Sequence, residues 1–166
     1  MILTDKITKA LRLATTQHDG QHRRDNITPF IIHPIEVAMI VSEYTNDEDI
    51  ISSALLHDVL EDTKGCSYEK LSKEFGEKVA NIVQSLTDNP LSDLTWNEKH
   101  TKYLEELKNS SDEAVLICLA DKYSNVSTGL VNQDRGWYYQ KVISVAKERR
   151  LTQNTKLLKD FEDLIK

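Results

Sequence analysis

The sequence predicts an all-α protein. Only five glycines and three prolines punctuate its 166 residues, and apolar side chains recur at three- and four-residue intervals with few alternating β-branched runs. The length suits one domain, residues 1–166, able to bury a substantial core. No internal repeat, low-complexity stretch or linker divides it.

From Asp5 to Gln17, Ile7, Ala10, Leu11 and Ala14 fall at helical spacing, and the polar stretch His18 to Thr28, carrying His22-Arg23-Arg24, ends that helix in a loop. Pro34 suits the first turn of a second helix with Ile35, Ala38, Val41 and Tyr44 on its apolar face; His33, preceding proline, is biased toward extended geometry at the helix entrance. Asn46-Asp47-Glu48-Asp49 supplies a cap and an acidic first turn to a third helix, predicted to run unbroken to Asp62. Ser67 to Phe75 and Glu77 to Leu86 read as two helices separated by Gly76, and Asn89-Pro90 breaks the pattern, so Thr87 to Leu94 is read as a mobile rim. Thr95-Trp96-Asn97-Glu98 matches a capping box and starts a helix to about Leu107; Ser111-Asp112-Glu113 starts the next. Gly136 opens a helix to about Arg149, and Thr152 to Ile165 forms a charged last one.

Composition narrows the function. Net charge is −6 and the basic residues are dispersed, so no stripe suits duplex nucleic acid. No segment reaches the roughly 20 apolar residues of a membrane span, and Met1-Ile2-Leu3-Thr4-Asp5-Lys6 lacks the apolar run of a signal peptide, which points to a soluble, cytoplasmic protein with no membrane partner. Cys66 and Cys118 have no zinc spacing and read as ordinary thiols.

One segment concentrates the chemistry. Ala54-Leu55-Leu56-His57-Asp58-Val59-Leu60-Glu61-Asp62-Thr63 sets an imidazole and three carboxylates in an apolar context, where such groups are costly unless something ionic compensates them. On a continuous helix, His57 and Glu61 stack one turn apart, as do Asp58 and Asp62. Upstream, His33 interrupts Ile31-Ile32; downstream, Asp121 interrupts Ile117-Cys118-Leu119-Ala120. A lone core histidine is more often a satisfied hydrogen-bonding group than a ligand, yet four such residues in aliphatic surroundings reverse that reading. His33, His57, Asp58 and Asp121 make a mixed nitrogen and oxygen set suited to manganese, iron or zinc, with coordination positions left for water and substrate. Asp121, Asn125 and Thr128 follow i, i+4, i+7, so one polar face continues from the last ligand.

The ordered set His33, His57-Asp58, Asp121 resembles the signature of the HD metal-dependent phosphohydrolase superfamily. Gly20-Gln21-His22-Arg23-Arg24, Pro29-Phe30-Ile31-Ile32-His33-Pro34, the Leu56-to-Thr63 block and Leu119-Ala120-Asp121-Lys122-Tyr123-Ser124-Asn125 resemble the hydrolase domain of the RelA/SpoT alarmone enzymes over about Ala10 to Leu130. Trp96 with Tyr103, and Gly136-Trp137-Tyr138-Tyr139, resemble small free-standing bacterial members of that group. The resemblance implies a helical HD fold, a manganese ion on His33, His57, Asp58 and Asp121, and removal of the 3′-pyrophosphate of guanosine tetra- or pentaphosphate. It further implies that Glu61 and Asp62 act on the attacking water or the leaving oxygen, that Arg24 contacts substrate, and that Asn125 and Thr128 meet the nucleoside. Two positions depart from the pattern: Asp25 stands where many relatives have lysine, and Ser124 replaces a histidine or tyrosine.

Each of these residues also has a plainer reading. Glu61-Asp62 can be a solvated acidic helix end, although that placement opposes the helix dipole. Arg23 and Arg24 can be a solvated loop, but an acidic protein that binds a polyanion needs local positive charge, which the metal, Arg24 and Lys122 would supply. Asn125 and Thr128 can cap a buried face, and at least two of Trp137, Tyr138 and Tyr139 read as core. The alternatives to a guanosine alarmone hydrolase are an HD phosphohydrolase for an adenosine analogue or a 3′-phosphorylated dinucleotide, and a silent nucleotide sensor. Oligomeric state is left open.

Overall fold

The computed structural model describes residues 3–88, 94–129 and 135–166. Among these it is all-α: ten helices and no strand, apart from an isolated bridge between His22 and Pro29. The expected rim over Thr87–Leu94 lies largely outside the described residues. The chain gathers into two compact units, Met1–Thr87 and Asp88–Lys166.

The first unit holds α1 (Asp5–Gln17), α2 (Ile32–Val41), α3 (Glu48–Leu56), α4 (Val59–Asp62), α5 (Tyr68–Phe75) and α6 (Glu77–Leu86). Every residue of α3 from Ile50 to Leu56 is buried, as expected of a helix enclosed on all sides, and α1, α2 and α6 pack around it. Its acidic first turn is held by cations from two neighbours. Lys6 of α1 lies 2.5 Å from Asp49, and Lys78 of α6 lies 2.7 Å from Asp47. Asp47 also caps the helix by accepting from the Asp49 amide at 2.8 Å.

Two expectations are corrected in this unit. His33 is not extended: α2 begins at Ile32 and His33 is already helical and buried, with Pro34 as the third residue. Proline tolerates the first turn because its missing amide would have had no intrahelical partner there. The inward face is Pro34, Val37, Ala38 and Val41, one step round from the face expected through Ile35. The helix through Ile50 also does not run unbroken to Asp62: it ends at Leu56, and α4 starts at Val59. The reason is local, because Asp58 adopts φ −94° and ψ −6°, in the sparsely populated bridge between helix and extended geometry.

The second unit holds α7 (Trp96–Asn109), α8 (Asp112–Ser127), α9 (Gly136–Lys147) and α10 (Lys156–Leu164). The capping box at Thr95 is complete, with Thr95 and Glu98 satisfying each other's backbone amides. Ala114 to Asp121 are buried without interruption, so α8 is the enclosed helix here, packed by α9 and α10. Tyr138 and Tyr139 are buried, as expected for core aromatics.

Candidate metal centre

The break between α3 and α4 builds the site. On a regular helix, side chains at adjacent positions diverge; here the kink at Asp58 brings its Oδ1 to 3.2 Å from His57 Nε2. The other carboxylate oxygen, Oδ2, lies 3.8 Å from Nε2 of His33 on α2. Ligand atoms of His33, His57 and Asp58 all fall within 4.8 Å of one another, the one such group of three among the described residues. Both histidines are buried and Asp58 is partly so.

The tautomer of His57 decides whether this donor set fits a cation. Its Nδ1 lies 2.8 Å from the Ala54 carbonyl oxygen, which can only accept, so Nδ1 carries the hydrogen and the neutral ring's lone pair is on Nε2, toward Asp58. A lone pair and a carboxylate oxygen at that separation repel each other unless a metal ion, or a second proton on Nε2, lies between them. Two imidazole nitrogens and a carboxylate, with the carbonyl of Ala54 fixing one ring, fit a divalent first-row metal. The walls are aromatic: ring centroids are 4.8 Å apart for His18 and Phe30, 6.1 Å for Phe30 and His33, and 5.2 Å for His33 and His57.

Glu61 and Asp62 occupy α4, the turn immediately after the cluster, and both keep solvent access. Crowding around the Asp62 carboxyl removes part of its hydration and raises its pKa; the Asp58 charge adds to this, while His18, His57 and His33 oppose it.

The basic loop is ordered by an acid. Asp25 Oδ1 accepts from the amides of Ile27 and Thr28, both at 2.9 Å, and Oδ2 accepts from the Thr28 hydroxyl at 2.6 Å. These bonds lower the Asp25 pKa to about 2 and account for the departure from lysine at this position: Asp25 holds the loop's shape. Asn26 takes a positive φ of 58° in the same turn. Arg23 lies over the Phe30 ring at 5.7 Å, and Arg24 is exposed.

Asp121 lies in the second unit, on α8, and the three-residue cluster is drawn wholly from the first. One of its oxygens accepts from Asn125 Nδ2 and the other from Lys122 Nζ, each at 2.5 Å. Burial would lower the Lys122 pKa, but the Asp121 carboxylate together with Tyr138, Cys118 and Tyr103 outweighs it and holds the ammonium well above its ordinary value. Asn125 therefore orients Asp121, while the Thr128 hydroxyl donates back to its own helix at Ser124 or Asn125.

Two residues beside the cluster, His18 and Gln21, carry no role in the sequence reading, although Gln21 lies within the Gly20-to-Arg24 motif. His18, only 2% exposed, caps α1, and its Nδ1 lies 2.8 Å from Gln21 Oε1. Gln21 Nε2 donates to the Asp62 carbonyl at 2.9 Å. Polarity alone puts His18 at the start of a loop; the signal that marks it as buried is its position one turn after buried Ala14.

The sequence matches the HD domain family over residues 10–144, and the chain belongs to that family, bearing out the resemblance. It is 38% identical over 135 residues to the guanosine-3′,5′-bis(diphosphate) 3′-pyrophosphohydrolase MESH1 of Drosophila melanogaster, spanning 80% of this chain and 74% of that protein. It is 36% identical over 142 residues to MESH1 of Danio rerio, spanning 84% and 77%. The fold matches the solved structure of a metazoan ortholog of SpoT that hydrolyses ppGpp, with a TM-score of 0.81 and 32% identity over 99% of this chain and 96% of that one. Family and donor set together imply a divalent metal site.

Proposed function

We propose that the protein is a metal-dependent guanosine-3′,5′-bis(diphosphate) 3′-pyrophosphohydrolase that converts ppGpp and water to GDP and pyrophosphate. The observation that carries this reading is the convergence of His33, His57 and Asp58, within 4.8 Å, beside a carboxylate turn. The similarity to the MESH1 pyrophosphohydrolases supports the choice of nucleotide. The metal is read as manganese, held by His33, His57 and Asp58; Asp121 enters as a fourth ligand on the sequence motif alone. The bound dication supplies charge neutralisation and a more acidic water.

The chain's own residues supply the rest. His57 presents Nε2 because Ala54 holds its Nδ1 proton. Hydrolysis adds the water's hydroxyl to phosphorus and breaks the bond to the ribose 3′ oxygen, which must gain a proton. Asp62 is read as the group that supplies that proton, and Glu61 as the one that takes the proton lost by water. Arg24 is read as meeting a phosphate group, and Lys122, Asn125 and Thr128 as further substrate contacts on the sequence pattern alone. The whole of residues 1–166 is read as a single cytoplasmic HD domain, consistent with a family match that runs from residue 10 to 144.

The test compares Glu61→Gln and Asp62→Asn with wild type for metal content, ppGpp affinity and pyrophosphate release. Both variants should keep metal and nucleotide while kcat falls by roughly 10² or more. Turnover close to wild type in both would remove this pair from the proton-handling role.

A further inference from the structure

We propose that His18 and Gln21 form a two-bond relay that positions the Glu61–Asp62 turn against the neck of the basic loop. The inference deepens the hydrolase reading above and rests on it for its kinetic arm.

The directions of the two bonds follow from chemistry. The Asp62 main-chain carbonyl only accepts, so the Gln21 atom 2.9 Å away is the amide nitrogen. The Gln21 oxygen then faces His18 at 2.8 Å, and His18 Nδ1 must be the donor. The carbonyl of Asp62 lies at the end of a four-residue helix, where the last carbonyls have no intrahelical donor; Gln21 provides one from 41 residues upstream. The ring at the start of the relay is fixed by its burial and by the Phe30 ring 4.8 Å away. Among the described residues its Nε2 is buried without a hydrogen-bond partner, so Nδ1 is the atom through which these residues hold the ring.

Gln21 is also the neck of the basic loop. Its carbonyl accepts from the Phe30 amide at 2.9 Å, next to the bridge between His22 and Pro29. One side chain thus spans from the loop carrying Arg23 and Arg24 to the turn carrying the two carboxylates. A second tie lies beside it: the Thr63 hydroxyl is 3.1 Å from Gln17 Oε1, and a Cβ at Gly65 would displace that Gln17 amide. A four-residue helix has too few internal bonds to hold its own orientation, so these ties fix where its carboxylates stand. Neither His18 nor Gln21 is placed on the substrate; both act through the turn.

The test uses the full chain with manganese added and ppGpp as substrate, on His18→Ala, Gln21→Ala, the double variant, His18→Asn and His18→Gln. Asparagine places its amide donor near the position of Nδ1, and glutamine near that of Nε2. His18→Ala and Gln21→Ala should each lower kcat by about tenfold or more, the scale of a misplaced reacting group, with KM changed less and metal content retained. The double variant should be no worse than the poorer single one. His18→Asn should restore most of kcat, and His18→Gln should not. Hydrogen exchange over residues 59–66, measured on the same proteins, should quicken in both alanine variants and not in His18→Asn. Additive losses, equal losses in His18→Asn and His18→Ala, or unchanged exchange in Gln21→Ala would overturn the relay. A wild type that releases no pyrophosphate would instead count against the hydrolase reading, and the exchange measurement would still decide the relay.

Discussion

At the scale of single residues, the site depends on where protons and lone pairs are fixed. His57 offers Nε2 because Ala54 takes its Nδ1 hydrogen, and Asp58 turns one oxygen to each histidine. Removing either His57 or Asp58 leaves a buried, incomplete donor set. His57→Ala and Asp58→Ala should therefore purify without metal by elemental analysis and lose the rise in melting temperature that added metal gives wild type; undiminished metal in both would remove them as ligands. Asp25 allows a separate test by pH. Its folded pKa, about 2, lies below its ordinary value of 3.8, so its contribution is present above that ordinary value and lost as pH falls through the folded pKa. The Ile27 and Thr28 amides should lose exchange protection together with a midpoint near the folded pKa, and Asp25→Ala should abolish the transition. The candidate ligand residues stand out in the sequence because a polar, ionisable group inside an aliphatic run is costly unless it is compensated. His18 and Gln21 do not, because the groups that give them a role, the Phe30 ring and the Asp62 carbonyl, are brought to them only by the fold.

At the scale of elements, periodic sequence and observed helix agree where one face is apolar and the ends carry caps. Asp5–Gln17 is reproduced to the residue, and Thr95 and Ser111 cap as expected. The disagreements fall at His33 and at His57-Asp58. Both reflect competition between a local rule and tertiary demands: His33 is helical despite Pro34, and Asp58 leaves regular helix geometry although no glycine or proline marks the place. Sequence alone gives no sign of that break, at which Asp58 comes to face both His57 and His33. Gly76 shows the opposite case, a connection readable in advance. It joins α5 to α6 at φ 94° and ψ 161°, a region essentially closed to side chains, while an added Cβ would meet nothing within 4 Å. Gly76→Ala should thus cost about 1–3 kcal/mol through backbone strain alone, measured by urea unfolding. Gly136→Ala, also at an uncrowded position but without positive φ, should change stability little; equal losses in both would refute the conformational cause.

At the scale of the whole molecule, each unit is organised around one enclosed helix, α3 in the first and α8 in the second. His57 and Asp58 directly follow the last residue of α3, and Asp121 lies in the C-terminal half of α8. Among the described residues no helix is long and apolar enough to cross a membrane. On the proposed function, an acidic chain of net charge −6 would have to concentrate positive charge locally to handle a polyanion, which gives the metal its central place. The most direct test is pyrophosphate release from ppGpp by the full chain as purified, after chelation, and after manganese is restored, with Asp58→Ala treated alongside. Metal-dependent hydrolysis at this cluster predicts release that stops on chelation, returns with manganese and is absent from Asp58→Ala throughout. Undiminished release after complete removal of metal, or from metal-free Asp58→Ala, would contradict it.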